Sequence, residues 1–238
     1  TLADELDIPL HIHLHETAAE IEESMARYGM RPLERLSQLG LLNPRLLAVH
    51  MTQLLDAEIE AVAEQGVHVA HCVKSNLKLA SGFAPISNLL AAGTNIALGT
   101  DSVASNNDLD LLSEARTAAL VAKAVNGDAE AVPAKQALEM LTINGAKALN
   151  LDTEIGSLEA GKSADITALN LAGLATQPIY DPIAQLIYSC SREQVSNVWI
   201  GGKQVLKDNH HTRIDVNSTL ARAKEWGAII SGAGAPSN

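Results

Sequence analysis

The stretch His-Ile-His-Leu-His-Glu-Thr, residues 11–17, decides how the fold of this sequence is interpreted, together with Leu-Gly-Thr-Asp-Ser at residues 98–102. Each closes a short apolar run of the length of a buried β-strand. The first offers a His-x-x-Glu pair, His13 and Glu16, and the second offers Asp101 where strand gives way to loop. Imidazole and carboxylate groups at the carboxyl ends of parallel strands are typical ligands of a catalytic metal ion. The two stretches therefore predict a metal site at the end of a parallel sheet.

Outward from these stretches, apolar runs of strand length alternate with amphipathic helical segments as far as residue 150. We predict four strands, at residues 8–13, 46–50, 67–71 and 95–99. Strands that alternate with helices indicate a parallel sheet, and right-handed crossovers bring the carboxyl ends of all strands to one edge. The polar side chains expected at that edge are His13, His50, His71 and Asp101.

The helix boundaries are predicted from capping residues. Thr17 and Glu20 have the spacing of a capping box, which opens a helix. Asp56 is expected to cap the helix before the third strand, and either Asn107 or Asp108 the long alanine-rich helix after the fourth. These helices would supply the crossovers that a parallel sheet requires.

Four strand–helix units permit two α/β architectures. A small doubly wound sheet is one, but no glycine-rich phosphate loop follows the first strand, which removes the usual purpose of that fold. A closed eight-stranded barrel needs about 250 residues, so residues 1–150 would form half of a (β/α)8 TIM-type barrel. Short alternating runs then predict strands of a small β-sandwich domain over 151–210, including a hairpin through Gly201-Gly202. Residues 211–238 are expected to form a C-terminal helix and a disordered tail.

Composition narrows the classes of function. The formal net charge of −11 argues against binding to nucleic acid or to an anionic membrane, since no basic stripe offsets the repulsion from phosphate groups. The low aromatic content of 3% disfavours stacking on nucleic-acid bases. The sequence contains no run of 18 or more apolar residues, so no membrane span is expected. Two cysteines, Cys72 and Cys190, are too few for a disulfide framework, so we expect a cytoplasmic location. The sequence begins without an initiator methionine or a signal peptide, which suggests that an upstream segment is missing.

Each candidate residue also has a purely structural interpretation, and the residues alone leave both open. His13 and Glu16 could be a strand end and the first turn of a capped helix, where the helix dipole favours a carboxylate. His50 could be a satisfied core histidine, and Asp101 could be a turn former. Their joint placement at successive strand ends favours the functional interpretation.

The remaining histidines near the strand ends are harder to place. On an extended strand His11, His13 and His15 point to the same side, with His13 best placed to reach a ligand. His71 and Cys72 are adjacent and face opposite sides, so one site cannot easily use both. We expect a supporting or structural His71 and a buried, inert Cys72.

Taken together, the motifs resemble those of the amidohydrolase superfamily, in particular the 5′-methylthioadenosine/S-adenosylhomocysteine deaminases and their chlorohydrolase-like relatives. The resemblance extends from residue 1 to about residue 225. It rests on five motifs: His-Leu-His-Glu-Thr at 13–17, Ala-Val-His-Met-Thr at 48–52, His-Cys-x-x-Ser-Asn-Leu-Lys-Leu-Ala-Ser-Gly at 71–82, Leu-Gly-Thr-Asp-Ser-x-Ala-Ser-Asn-Asn-Asp-Leu-Asp at 98–110 and Gly-x-Leu-x-x-Gly-Lys-x-Ala-Asp-Ile at 156–166.

The resemblance implies that residues 1–150 correspond to strands 5–8, the C-terminal half of the family's barrel, and it implies a role for each matching residue. His13 and Asp101 would be ligands of zinc, the family's usual metal, with one ion per site. Glu16 would contact the purine ring and protonate it, with His13 beside the substrate. His50 would position the hydrolytic water, and Asp101 would also carry protons. The remaining zinc ligands would come from a strand-1 His-x-His pair that has no counterpart in this chain.

The activity implied by the resemblance is zinc-dependent hydrolytic deamination of the adenine ring of 5′-methylthioadenosine or S-adenosylhomocysteine-type nucleosides, with release of ammonia. The alternatives are a related aminohydrolase or chlorohydrolase on another purine or triazine ring, or a catalytically inert fragment. The sequence departs from the family pattern at Val73, Lys74 and Ser102. The expected partner is a small-molecule nucleoside, with no nucleic acid and no membrane, and a homo-oligomer would fit the family's habit.

Overall fold

The structure, a computed structural model, describes residues 2–232, and the chain divides into two compact units. The first unit comprises residues 1–162 and 171–192, and the second comprises residues 163–170 and 193–238. The disordered tail that we predict falls largely on residues 233–238, outside the described residues. Within residues 2–232, no helix combines the length and the apolar character needed to cross a membrane.

The first unit contains four strands that alternate with helices. Its strands are β1 (Leu10–Leu14), β2 (Leu46–His50), β3 (His68–His71) and β4 (Ile96–Leu98). Its helices are α1 (Leu2–Leu6), α2 (Ala18–Tyr28), α3 (Pro32–Gln38), α4 (Asp56–Glu64), α5 (Val73–Lys78), α6 (Ile86–Ala91), α7 (Leu111–Asn126), α8 (Ala134–Leu141), α9 (Ile143–Ala148) and α10 (Pro182–Ser189). The strands form one parallel sheet in the order β1-β2-β3-β4. The α/β class and the parallel sheet are confirmed, whereas the half-barrel stays a prediction.

The two faces of this sheet are buried by different sets of side chains. Along β2, Leu46 and Ala48 join the large apolar core on the helical side, whereas Leu47 and Val49 join a smaller cluster on the opposite face. The smaller cluster is completed by Ala70, Cys72, Ala97 and Ala148. This alternation fixes the register, because a slip by one residue would exchange the two sets of side chains.

One half of the predicted capping box of α2 forms, and the other half is replaced by bonds to the two residues before Thr17. Thr17 Oγ1 accepts a hydrogen bond from the backbone N–H of Glu20 at 3.2 Å. The Glu20 carboxylate reaches past the cap residue and accepts from the N–H of His15 at 2.9 Å and of Glu16 at 2.6 Å. Glu20 therefore holds the short segment between β1 and α2, in which a candidate site residue lies.

Two other predicted caps are wrong by one to three residues. The helix α7 is capped by Asp110, not by Asn107 or Asp108, and Asp110 Oδ1 accepts from two backbone N–H groups of the first turn. Asp56 is the first residue of α4, and Leu55 is its N-cap. Neighbouring Asn and Asp residues offer the same hydrogen bond, and the one next to the first helical turn makes it.

The second unit consists of an antiparallel sheet and a helix. Its elements are β5 (Ile166–Leu169), β6 (Val195–Ile200), β7 (Lys203–Lys207), β8 (His210–His211) and α11 (Val216–Ile230), with the strands paired in chain order. Gly201 and Gly202 connect β6 to β7 with φ values of 54° and 73°, as the predicted two-residue hairpin requires. Residues 171–192 lie in the range predicted for β-sandwich strands, but they group with the first unit, where α10 buries Ile187.

Candidate metal centre

Three candidate residues meet at the carboxyl edge of the parallel sheet. His13 lies near the end of β1, His50 ends β2 and Asp101 follows β4. One potential ligand atom of each residue lies within 4.8 Å of the others. The rings of His13 and His50 have centroids 4.8 Å apart and an interplanar angle of 79°. The parallel topology thus brings together side chains that are far apart in the sequence, with His13 exposed, Asp101 half-buried and His50 buried.

The His50 imidazole is oriented by its backbone and by one hydrogen bond. His50 and Met51 have positive φ values of 75° and 54°, so the chain leaves the extended conformation here. The His50 Nδ1–H donates to Asn76 Oδ1 at 2.8 Å. The other ring nitrogen, Nε2, is buried without a hydrogen-bond partner among residues 2–232 and lies 3.8 Å from Glu16 Oε2. A buried nitrogen with a free lone pair can accept a hydrogen bond or bind a metal.

Glu16 presents its carboxylate to this ring while staying partly in solvent. Its side chain is 24% exposed, and Ser81 Oγ donates to Oε1 at 3.4 Å. The backbone carbonyl of Glu16 accepts from Thr52 Oγ1 at 2.6 Å, which fixes the segment that follows β1. The carboxylate can therefore exchange protons with a molecule bound beside His50.

The Asp101 carboxylate is held by hydroxyl groups from two segments. Asp101 has a positive φ of 60°, and its Oδ2 accepts from Ser75 Oγ and Ser105 Oγ, both at 2.7 Å. Burial raises the pKa of Asp101, but these hydrogen bonds outweigh burial and hold the pKa below its ordinary value. Asp101 is therefore ionised at neutral pH. The Ser102 hydroxyl, one of the departures from the family pattern, lies 3.3 Å from Ser105 Oγ.

His71 and Cys72 lie next to the three-residue group without joining it. A Cβ atom at Gly99 would lie 3.0 Å from Cys72 Sγ, so the thiol occupies the space that glycine leaves. Burial, and then the charge of Asp101, raise the pKa of the Cys72 thiol to about 12, which keeps it protonated. Burial, and then the nearby His50, lower the pKa of His71 to about 4, so its ring is neutral at pH 7. The supporting role of His71 stays a prediction.

The placement of His15 on the same side as His11 and His13 is wrong. His15 follows the last residue of β1 and has a positive φ of 53°, so strand alternation no longer applies to it. Its ring is buried, and Nε2 accepts the backbone N–H of Leu33 at 3.0 Å. His15 therefore connects the end of the sheet to α3.

Two buried polar residues of the site were not identified from the sequence. Ser75 and Asn76 lie in α5, which has six residues and no apolar periodicity, and which we did not predict. They bond to Asp101 and His50 respectively. The available signal was a polar pair four and five residues after the buried strand β3, a position at which the carboxyl edge of a parallel sheet commonly carries functional groups.

Comparisons with known sequences show to which proteins the chain is similar. The sequence model of the amidohydrolase family matches residues 1–205. Curated 5-methylthioadenosine/S-adenosylhomocysteine deaminases from Teredinibacter turnerae and Moorella thermoacetica are 49% and 46% identical over 224 and 217 residues. These alignments cover 94% and 91% of this chain but 51% of each relative. The chain thus spans about half the length of the curated relatives it matches.

Solved structures agree with the sequence comparison. An adenosine deaminase from Xanthomonas campestris with bound zinc is 52% identical with a TM-score of 0.95, over 97% of this chain and 53% of that chain. Atrazine chlorohydrolase from Arthrobacter aurescens, complexed with zinc, is 29% identical with a TM-score of 0.89, over 94% of this chain and 49% of that chain. Since the family model covers most of the sequence, the chain belongs to the amidohydrolase family.

Proposed function

We propose that the protein is a zinc-dependent hydrolytic deaminase acting on the adenine ring of nucleosides of the 5′-methylthioadenosine or S-adenosylhomocysteine type. The observation that carries the proposal is the convergence of His13, His50 and Asp101 within 4.8 Å, with Glu16 beside His50. The names of the curated relatives and of the zinc-bound adenosine deaminase support the reaction and the ring.

The donor set fits a zinc ion. Imidazole nitrogens and a carboxylate oxygen are ligands that zinc accepts, in a shell that usually has four members. The buried His50 Nε2 has no partner in the part of the chain that the structure describes, and a buried polar atom of this kind fits a role in binding a ligand. His13 and Asp101 would hold the ion, with further ligands from outside this chain. A zinc ion bound there would supply Lewis-acid activation of water at neutral pH.

Side chains of this chain would transfer the protons of the reaction. The reaction forms a carbon–oxygen bond from water and breaks the bond between the ring carbon and its amino nitrogen, which leaves as ammonia. One proton of the water reaches the ring nitrogen through Glu16, and the other reaches the leaving amine through Asp101. His50 accepts a hydrogen bond from the water at Nε2, the nitrogen that its bond to Asn76 leaves unprotonated.

Hydrolysis of a carbon–chlorine bond is the second candidate reaction, because the same residues would serve it. The relatives named as deaminases are 49% and 46% identical to this chain, whereas the atrazine chlorohydrolase is 29% identical. This difference supports an amine as the leaving group. The cytoplasmic location and the homo-oligomer stay predictions.

The proposal is tested by measuring ammonia release from 5′-methylthioadenosine by the complete gene product, with and without zinc. We expect zinc to be required and Asp101→Ala to lower kcat/KM by more than about 100-fold, because even residues that only orient metal ligands change activity about 10- to 100-fold. Asp56→Ala, on an exposed helix start, is the control. We expect the 238-residue chain alone to bind zinc weakly, to aggregate and to release little ammonia. Full activity of Asp101→Ala, or release of chloride but not ammonia from matched substrates, would contradict the proposal.

A further inference from the structure

The start of α5 lies between the two strand ends that carry the buried part of the candidate site. In the sheet β3 is flanked by β2 and β4, and α5 follows β3 directly. Ser75 and Asn76 are 0% and 2% exposed. Ser75 Oγ donates to Asp101 Oδ2 at 2.7 Å, and Asn76 Oδ1 accepts from His50 Nδ1 at 2.8 Å. Two consecutive side chains thus contact candidate groups at the ends of two different strands, His50 in β2 and Asp101 in the loop after β4.

We propose that Ser75 and Asn76 are a pair of positioning residues, in which Asn76 selects the tautomer of His50 and Ser75 orients the carboxylate of Asp101. The pair would position the His50 imidazole and the Asp101 carboxylate together, because the two residues are neighbours on the same turn of α5. The proposal rests on the proposed function for the role of the site. The two contacts themselves can be tested without any substrate.

The hydrogen bond to Asn76 determines what His50 can do. An amide oxygen only accepts hydrogen bonds, so the His50 proton must be on Nδ1. A neutral imidazole then has its lone pair on Nε2, the nitrogen that faces Glu16 Oε2 at 3.8 Å. Without the amide, a proton on Nδ1 would be buried without an acceptor, which favours its transfer to Nε2. His50 Nε2 would then donate a hydrogen bond, whereas the proposed reaction needs Nε2 to accept one from the water.

The hydrogen bond from Ser75 acts on the orientation of Asp101. Asp101 lies in the loop after β4 with a φ of 60°, so no regular element fixes its side chain. Ser75 on α5 and Ser105 on the loop donate to the same oxygen, Oδ2, from two directions. Hydrogen bonds to an ionised acceptor are short and strong, and two of them restrain the position of Oδ2.

A buried carboxylate fixes the distance between α5 and this loop. Glu114 Oε2 accepts the backbone N–H of Lys74 at 3.3 Å, and Glu114 Oε1 accepts from Asn106 Nδ2 at 2.6 Å. The same Asn106 group donates to the carbonyl of Thr100 at 2.9 Å. The residues that precede Ser75 and Asp101 are thereby connected through two side chains, Glu114 and Asn106, which restrain α5 relative to the loop.

A second histidine–asparagine pair in the same unit provides a matched control. At the start of β3 and before β4, Asn95 Nδ2 donates to His68 Nδ1 at 2.9 Å. Since Nδ1 of His68 accepts, its proton in the neutral ring must be on Nε2. The two asparagines therefore predict opposite tautomers for the two histidines.

The test of Asn76 is 15N NMR of the histidine-labelled, metal-free complete gene product at about pH 8, above the ordinary histidine pKa of about 6.5. We expect the Nδ1–H tautomer for His50 and the Nε2–H tautomer for His68. Asn76→Leu should convert only His50 to the Nε2–H form, Asn76→Asp should keep it, and Asn95→Leu should change only His68. The Nδ1–H tautomer of His50 persisting in Asn76→Leu would overturn the proposal.

The test of Ser75 is zinc affinity of the complete gene product, measured by competition with a chelator. Ser75→Ala should weaken zinc binding about 10- to 100-fold, the range for residues that orient metal ligands. Ser75→Thr keeps a hydroxyl and should restore most of the affinity, and Ser37→Ala on exposed α3 surface should leave it unchanged. Equal affinities of the Ser75→Ala and Ser37→Ala proteins would overturn the proposal. If the parent protein binds no zinc at all, the proposed function is wrong, while the tautomers still decide whether the pair positions His50.

Discussion

The two ends of the parallel sheet each contain a histidine–asparagine pair, and the pairs differ in what they leave unsatisfied. At the carboxyl end, His50 Nε2 and Asn76 Nδ2 are buried without a hydrogen-bond partner among residues 2–232. At the amino end, Asn95 Nδ2 donates both to His68 Nδ1 and to the backbone carbonyl of Asn144. A hydrogen bond between a histidine and an asparagine therefore does not by itself indicate a functional site. The informative sign is a buried nitrogen whose lone pair has no partner.

Apolar packing should stabilise the two ends of the sheet to a similar extent. Substitutions of core residues at either end are expected to have the largest effect on stability. Leu46 and Met51 are both 0% exposed, at the start of β2 and just after its end, and both belong to the core on the helical side. Leu46→Ala and Met51→Ala should each lower the free energy of unfolding by about 2–5 kcal/mol. Urea denaturation measures the effect, with exposed Gln38→Ala as the control. A loss below 1 kcal/mol for Met51→Ala alone would show that the carboxyl end is poorly packed.

The buried side chain of Glu114, near the carboxyl end of the sheet, should make the free energy of unfolding depend on pH. Burial raises the pKa of Glu114 from 4.5 to about 7. Between these values the folded protein keeps a proton that the unfolded chain has lost. The stabilisation by protonated Glu114 is therefore complete below pH 4.5 and is lost as the pH rises through 7. The expected loss is at most about 3 kcal/mol.

Glu114→Gln should remove this contribution. Denaturation between pH 5 and 8 should show a flatter decline of unfolding free energy in the variant than in the parent, with exposed Glu60→Gln as the control. His71 has the opposite effect, since burial lowers its pKa to about 4 and stability falls as the pH drops below 6.5. That contribution is common to both proteins and cancels in the difference. Parallel curves for the parent and Glu114→Gln would refute the assignment.

The exposed ion pair at the carboxyl end should contribute least. Lys74 Nζ lies 2.5 Å from Asp108 Oδ2, but the two side chains are 23% and 43% exposed. Because solvent screens such pairs, Lys74→Met should lower the free energy of unfolding by less than about 1 kcal/mol. The difference should shrink further in 1 M salt, where the screening length is about 3 Å. A salt-independent loss as large as that of Met51→Ala would mean that Lys74 has a buried role.

The regular part of the first unit follows from the sequence because apolar spacing and helix caps are local signals. The strands β1 to β4 and the cap at Thr17 were predictable in this way. The helix α5 was not, because six residues carry too little periodicity to be distinguished from a loop. The cap of α7 at Asp110 was misplaced because three residues in one loop can make the same bond.

The candidate site also has one part that the sequence predicts and one part that it does not. His13, His50 and Asp101 could be grouped from the sequence because a parallel sheet brings all its carboxyl ends to one edge. The contacts that orient them could not, since they come from Ser75 and Asn76 on a helix too short for apolar periodicity to predict, although both residues belong to the motif at 71–82. The roles assigned to these residues, and the zinc ion, stay proposals.

The left-handed backbone at the strand ends has a consequence for the evolution of this protein. His50, Met51 and Asp101 have φ values of 75°, 54° and 60°, where a side chain costs about 1–2 kcal/mol and glycine costs little. Glycine at position 50 or 101 would relieve that cost while removing an imidazole or a carboxylate. Selection for thermal robustness alone would therefore erode these positions first. The imidazole and the carboxylate at these positions are therefore explained by what their side chains contact and not by the stability of the backbone.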